Sequence, residues 1–191
     1  MQMPMSAHTI RPAHLDDVPA IRDIYEEAVL NGTATYELVP PDIAEMAARF
    51  EAIAGVGYPF IVAEDHHGTV KGYAYASAFR HRPAYRWSVE DSIYLAPDAR
   101  GRGIGRDLLT RLIELCNESG FRQMIAVIGG SDNEASIRVH RSAGFRMIGT
   151  FEGSGFKFGR WVDTVLMQMQ LGDGNASLPD EAVFPGTLYG G

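Results

Sequence analysis

Residues able to do chemistry gather between positions 90 and 140 of this 191-residue chain. The densest run is Arg100, Gly101, Arg102, Gly103, Ile104, Gly105 and Arg106, three glycines interleaved with three arginines. Glycine lets a backbone approach a bulky anion closely, and the first N–H groups of a helix have no internal partner. Together with the positive helix end, such amides make an anion site, so the run reads as a pyrophosphate cradle. A glycine-rich helix entry with solvated arginines satisfies the same spacing, and the run alone does not choose between them. Glu90 stands five positions before Leu95. A partly desolvated carboxylate there could take a proton from an amine, directly or through water. A strand-surface glutamate paired with Arg82 or Arg86 is the plainer account of the same residue. Asn133 suits a helix N-cap, and His140, seven positions on, is either a proton donor or a helix-packing ring.

These residues need elements to position them. Residues 92–95 alternate as a half-buried strand. After the cradle, Ile104, Leu108, Leu109, Leu112, Ile113 and Cys116 recur at helical spacing, with Gly120 as a stop. Upstream, a short strand at 9–11 leads to a helix opened by Asp17 and Pro19, with Val18, Ile21, Ile24, Tyr25, Ala28 and Val29 on one face and Asn31-Gly32 closing it. Pro41-Asp42 starts a second helix carrying Ile43, Met46, Ala47, Phe50 and Ile53. Residues 60–64 and 70–79 read as a hairpin around His66-His67-Gly68. A strand at 124–128, a short helix at 133–143, and strands at 145–151 and 163–171 follow. The order predicts one α/β (α+β) domain over 1–171: a mixed, mostly antiparallel sheet with helices on both faces.

Two common glycine fingerprints fit poorly. A P-loop needs Lys-Ser or Lys-Thr after its last glycine, where Arg106-Asp107 stands, and the three glycines are too close for G-x-G-x-x-G. Arg100-x-x-Gly103-x-Gly105 instead resembles the acetyl-CoA signature of the GNAT superfamily of N-acetyltransferases. Four further segments recur in order: Val89-Glu90-Asp91-Ser92-Ile93-Tyr94-Leu95, Ala126-Val127-Ile128-Gly129, Asn133-x-x-Ser136-Ile137-Arg138-Val139-His140, and Gly155-Phe156-Lys157-Phe158-Gly159-Arg160-Trp161-Val162-Asp163. Together they resemble the phosphinothricin and methionine sulfone/sulfoximine N-acetyltransferases, over roughly residues 9–171.

The resemblance implies a GNAT fold and acetyl-CoA as co-substrate. It implies cofactor contacts from Ile93, Tyr94 and Leu95 along the pantetheine arm, with the Leu95 N–H aimed at the acetyl oxygen. Gly101, Arg102, Gly103, Ile104, Gly105 and Arg106 would hold the diphosphate, and Asn133 would also touch the cofactor arm. Glu90 becomes the general base, and His140 the acid for the leaving thiolate, where many members of the superfamily carry a tyrosine. Tyr36, Phe79, Arg80, Tyr85 and Arg86 fall on loops around the acceptor pocket, together with Trp87. An arginine beside aromatics suits a small amino acid carrying a carboxylate. Core packing of the aromatics and solvation of the arginines remain open, as does the choice between Arg80 and Arg86, the latter an even number of strand positions from Glu90. The implied reaction is acetylation of methionine sulfone, methionine sulfoximine or phosphinothricin by direct attack. A peptide N-terminus or polyamine as acceptor, or a non-catalytic acyl-CoA sensor, are the competing readings. A homodimer is implied by resemblance only.

Composition sets outer limits. A net charge of −7 and pI near 5.3 argue against nonspecific nucleic-acid or anionic-membrane partners. The single cysteine, Cys116, permits no internal disulfide, falls on an apolar stripe, and points to a reducing, cytoplasmic setting. No signal peptide or bilayer-length apolar run is read in the chain. His66 and His67 are expected to point apart, and no metal-ligand cluster is seen. Lys157-Phe158-Gly159-Arg160-Trp161 reads as structural or subunit-forming. Residues 172–191, rich in glycine, proline and acidic side chains, read as a disordered tail, with Phe184, Leu188 and Tyr189 as possible docking residues.

Overall fold

A computed structural model describes residues 8–183. Seven strands form one sheet in the order β1-β2-β3-β4-β5-β7-β6: β1 His8–Pro12, β2 Phe60–Asp65, β3 Val70–Ala78, β4 Ser88–Leu95, β5 Gln123–Gly129, β6 Arg146–Lys157 and β7 Arg160–Gln170. Every neighbouring pair is antiparallel except β4 with β5. That parallel pair needs a crossover, which α3 (Ile104–Glu118) supplies. Helices α1 (Val18–Asn31) and α2 (Ile43–Ala54) cover the other face, and α4 (Glu134–Ser142) follows β5.

The sequence periodicities explain both cores. The six apolar positions expected on α1 are its six buried residues, and five of them, all but Ala28, pack with Met46 and Phe50 of α2 against Phe60, Val62 and Tyr73. On the opposite face Ile104, Leu108, Leu109, Leu112 and Cys116 of α3 pack against Ala74, Ala76, Val89, Met124, Ala126 and Met167. Burying apolar side chains on both faces drives the assembly. Ile43 departs from the expected stripe, at 55% exposed in the first turn of α2.

Other differences have local causes. β6 and β7 extend beyond the expected 151 and 163 to meet at a tight turn in which Phe158 and Gly159 both have positive φ, 53° and 72°. Gly153 and Gly155, beside a register shift, interrupt the alternation that would have announced this hairpin. His66 and His67 share one turn, so their ring centroids lie 3.8 Å apart instead of diverging. The expected disorder does not hold for the described part of the tail: Arg122 donates to the carbonyls of Gly174 and Leu178 and to Ser177 Oγ. Phe184, Leu188 and Tyr189 lie outside the described residues. No helix among the described residues is long and apolar enough to cross a membrane.

One polar tie joins the sheet edge to α1. Asp17 accepts from Arg11 Nη1 and Nη2 at 2.8 and 2.9 Å and from the His14 N–H at 2.8 Å. The Arg11 hydrogen bonds hold its pKa below the ordinary carboxylate range, against the opposing effect of burial. A depressed folded value stabilises above the unfolded value near 4 and is lost as pH falls through the folded one. Asp17→Asn should therefore lower unfolding free energy at pH 7 by about 1–3 kcal/mol. In urea melts the gap should close in acid; a gap constant with pH would refute the assignment.

Candidate active site

Two features open a cleft in the middle of the sheet. β4 pairs with β5 only from Ser88 to Asp91, whereas its pairing with β3 continues to Leu95. The Ala96 N–H donates to Lys71 O, and Ser88 O accepts from the Phe79 N–H. Even-numbered residues of β4 therefore bond toward β3, and Ile93 and Leu95 direct their backbone groups into the gap. At the far end of β4 the chain turns into α3 through Gly101 and Gly103, both left-handed at φ 75° and 84°. The first intrahelical bond of α3 runs from the Asp107 N–H to Gly103 O, leaving the amides of Ile104, Gly105 and Arg106 without an acceptor in the helix. Arg102 and Arg106 are exposed beside them, while Arg100 is turned away to Glu27 of α1.

A cavity of about 280 Å³ occupies the cleft. Its walls bring together Tyr36, Tyr75, Glu90, Asp91, Ile93, Tyr94, Asn133 and His140. Glu90 points to the α1–α2 side and is half-buried. Burial first, and the Asp91 charge second, raise its pKa to about 7, with Arg80 opposing. Asn133 caps α4, its Oδ1 accepting from the Ser136 N–H at 3.3 Å. His140 is buried, with Nε2 2.9 Å from Asp91 Oδ2 and Nδ1 2.8 Å from the carbonyl oxygen of Ser136.

The segment 33–36 roofs the α1–α2 side. Tyr36 Oη donates to Asp163 O at 2.5 Å and lies 2.9 Å from Thr164 Oγ1. Thr33 Oγ1 donates to Gly129 O, and the buried Lys157 ammonium donates to Thr35 O at 2.9 Å. Two glycines permit this docking. A Cβ on Gly129 would stand 1.8 Å from Thr33 O, and one on Gly155 would stand 2.8–3.0 Å from the Tyr36 ring.

The other loop residues lie elsewhere. Arg86 ends a 3-10 turn before β4 begins, so strand alternation does not aim it at Glu90. Its guanidinium lies 3.5 Å from Glu181 and 5.0 Å over the Trp87 ring. Phe79 packs edge-on to Tyr85, and Arg80 lies 4.4 Å over Phe79 while still acting electrostatically on Glu90. Cys116 is fully buried, which pushes its thiol well above the ordinary range and removes it as a nucleophile. No group of three or more His, Cys, Asp or Glu suited to a metal occurs among the described residues. Sequence reasoning missed Asp91, Thr164 and the anchoring role of Lys157. The signal for Asp91 was a carboxylate on the otherwise apolar face of Val89, Ile93 and Leu95, which demands a buried partner.

A family model described as an acetyltransferase (GNAT) domain matches residues 10–166. The chain belongs to the GNAT acetyltransferases. A phosphinothricin N-acetyltransferase of Alcaligenes faecalis is 48% identical over 180 residues, covering 94% of this chain and 91% of that protein. An L-methionine sulfoximine/L-methionine sulfone acetyltransferase of Pseudomonas paraeruginosa is 44% identical over 167 residues, covering 87% and 96%. The crystal structure of a phosphinothricin acetyltransferase from Sinorhizobium meliloti in complex with AcCoA is 56% identical, with a TM-score of 0.92 over 96% of this chain and 98% of that one. In this GNAT acetyltransferase the freed amides at 104–106 could hold a diphosphate and the open edge at Ile93 and Leu95 could pair with an extended amide-bearing arm, the two features that acetyl-CoA presents.

Gly155→Ala displaces the Tyr36 ring from the cavity wall while leaving the α3 turn untouched. KM for the acceptor amine should rise at least roughly fivefold with acetyl-CoA affinity unchanged. Unchanged acceptor kinetics, or equal losses for both substrates, would contradict this account of the wall.

Proposed function

We propose that the chain moves the acetyl group of acetyl-CoA to the α-amine of a small amino-acid analogue such as methionine sulfone, methionine sulfoximine or phosphinothricin. The observation that carries this reading is Glu90, a half-buried carboxylate on the cavity wall whose pKa is raised to about 7. A base poised there can deprotonate an ammonium near neutral pH. In this reading the amides of Gly101 to Arg106 hold the diphosphate, with Arg102 and Arg106 as charge partners, and Ile93, Tyr94, Leu95 and Asn133 line the pantetheine path. Acetyl-CoA supplies the activated thioester. The Leu95 N–H faces the acetyl oxygen, a preplaced donor typically contributing about 3 kcal/mol in the transition state. Glu90 takes the amine proton, the C–N bond forms, and the C–S electron pair leaves with sulfur, which His140 protonates. Tyr36 on the cavity wall selects the acceptor, with Phe79, Arg80 and Tyr85 acting from a loop outside that wall; the placement of Arg86 beside Glu181 favours Arg80 over it as the carboxylate partner.

We also infer a cytoplasmic homodimer. Met147, Ile148, Phe151, Phe156, Phe158 and Trp161, each 43–69% exposed, crowd the β6–β7 hairpin, and a second copy is the partner we assign to them. Sedimentation at micromolar concentration tests this, and a monomer would refute it.

A thiol-release screen with acetyl-CoA over amino acids, sulfones, polyamines and peptides tests the acceptor class. Sulfones, sulfoximines or phosphinothricin should turn over fastest. Preference for polyamines or peptides would replace the reading, and thermal stabilisation by acetyl-CoA without thiol release would mark a sensor. Glu90→Gln should keep acetyl-CoA affinity and lower turnover roughly 10²-fold. The parent's kcat/KM should fall with one-proton slope below pH about 7, since the base works only ionised. That limb should vanish in the variant; unchanged turnover would remove Glu90 from the mechanism.

A further inference from the structure

Asp91 occupies the last paired position between β4 and β5. Strand alternation puts it with Val89, Ile93 and Leu95 on the α3–α4 face, in an otherwise apolar core. Its side chain is 2% exposed and that of His140 is 5%. The carbonyl of Ser136 can only accept, so His140 Nδ1 carries a proton. The remaining contact, Nε2 to Asp91 Oδ2 at 2.9 Å, holds one further proton between ring and carboxylate. Phe145 stands edge-on to the ring at 5.0 Å and closes its outer side. Asp91 Oδ1 is buried without a partner, an uncommon state for a carboxylate oxygen, and the pair opens on the cavity.

Burial lowers the pKa of the ring, but the Asp91 hydrogen bond and charge, together with the hydrogen bond to the Ser136 carbonyl, outweigh it and raise His140 above its ordinary value. The other titratable groups that feel Asp91 are Glu90 on β4 and Cys116 on α3, both pushed upward in part by its charge. Glu134, Arg138 and Arg141 of α4 are exposed.

We propose that Asp91 is a positioning residue of the transfer reaction, acting through His140: it keeps the Nε2–H in place at the cavity wall as the proton store for the leaving thiolate. The inference rests on the acetyl-transfer reading above. When the C–S bond breaks, the electron pair stays on sulfur, which competes with Asp91 Oδ2 for the Nε2 proton. The S–H bond forms, the Nε2–H bond breaks, and His140 is left neutral with its Nδ1 proton still donated to Ser136. Asp91 remains a carboxylate throughout, and solvent restores the Nε2 proton. Glu90 and Asp91, adjacent in sequence, thereby serve opposite ends of one reaction from opposite faces of β4.

Two readouts test this. The first needs no turnover: long-range proton–nitrogen NMR of the six histidines in the free protein at pH 7, with His140 assigned by its loss in His140→Gln. Both His140 nitrogens should be protonated in the parent, and Nε2 should lose its proton in Asp91→Asn. A parent His140 with a bare Nε2 overturns the proposal whatever the acceptor proves to be. The second is the pH profile of kcat/KM. Asp91→Asn should carry both limbs to lower pH, losing at least roughly tenfold at pH 8.5 but under about threefold at pH 6.5. An equal loss at every pH would mark Asp91 as merely structural. A shift of the acid limb alone would leave Asp91 acting on Glu90 only and refute the link to His140. If no amine is acetylated by the parent, the transfer reading fails, while the histidine spectra still decide the pair.

Discussion

Pairing between β4 and β5 ends at Asp91 and Ala126, in the middle of a seven-stranded sheet, and the site follows from that separation. Backbone groups freed inside a protein must find other partners. Here the freed edge at Ile93 and Leu95 is followed in the chain by the turn that ends in the unpaired first amides of α3. An extended ligand with hydrogen-bonding groups along its length and a diphosphate at its end satisfies both at once. The separation also exposes both faces of β4 to one cavity, so successive side chains can contribute to the same chemistry although the pleat sends them apart.

The surrounding structure maintains the gap. β3 holds β4 in register to Leu95, and β7 holds β5 from Gln123 to Gly129, so each half-sheet is rigid where the two part. α3 bridges them through Leu108, Leu109 and Leu112, all fully buried. On the other side Thr33 and Tyr36 dock against Gly129 and Gly155, where any side chain would collide with them. The same cleft gives two carboxylates different fates. Glu90 is pushed upward by burial, which the charge of Arg80 offsets only in part, whereas Asp91 is matched to His140.

Much of this was legible in the residues. The helical stripes of α1 and α3 name their buried faces because burial against a sheet is what periodicity encodes. The glycine-arginine run announced a helix entry with positive φ and free amides because these are local properties, although the run by itself did not distinguish an anion cradle from a plain helix entry. The path of the β6–β7 hairpin was not legible, since Gly153 and Gly155 carry no side chain to mark a face and serve instead to admit Tyr36 and a register shift. Nor was the position of Arg86, which turns on where β4 starts and on contact with Glu181, 95 residues away in sequence. The Asp91–His140 pair spans 49 residues and joins a strand to a helix. Only the oddity of an acid on an apolar face hinted at it.

The central claim is that the open β4 edge and the α3 turn together bind the coenzyme A moiety. Titrating coenzyme A into isotopically labelled protein and following backbone amide resonances tests it most directly. The account predicts the largest shifts at Ile93, Leu95 and residues 101–106, with protection of those amides from exchange. Saturable binding that leaves these amides unmoved, with the response elsewhere on the surface, would contradict it.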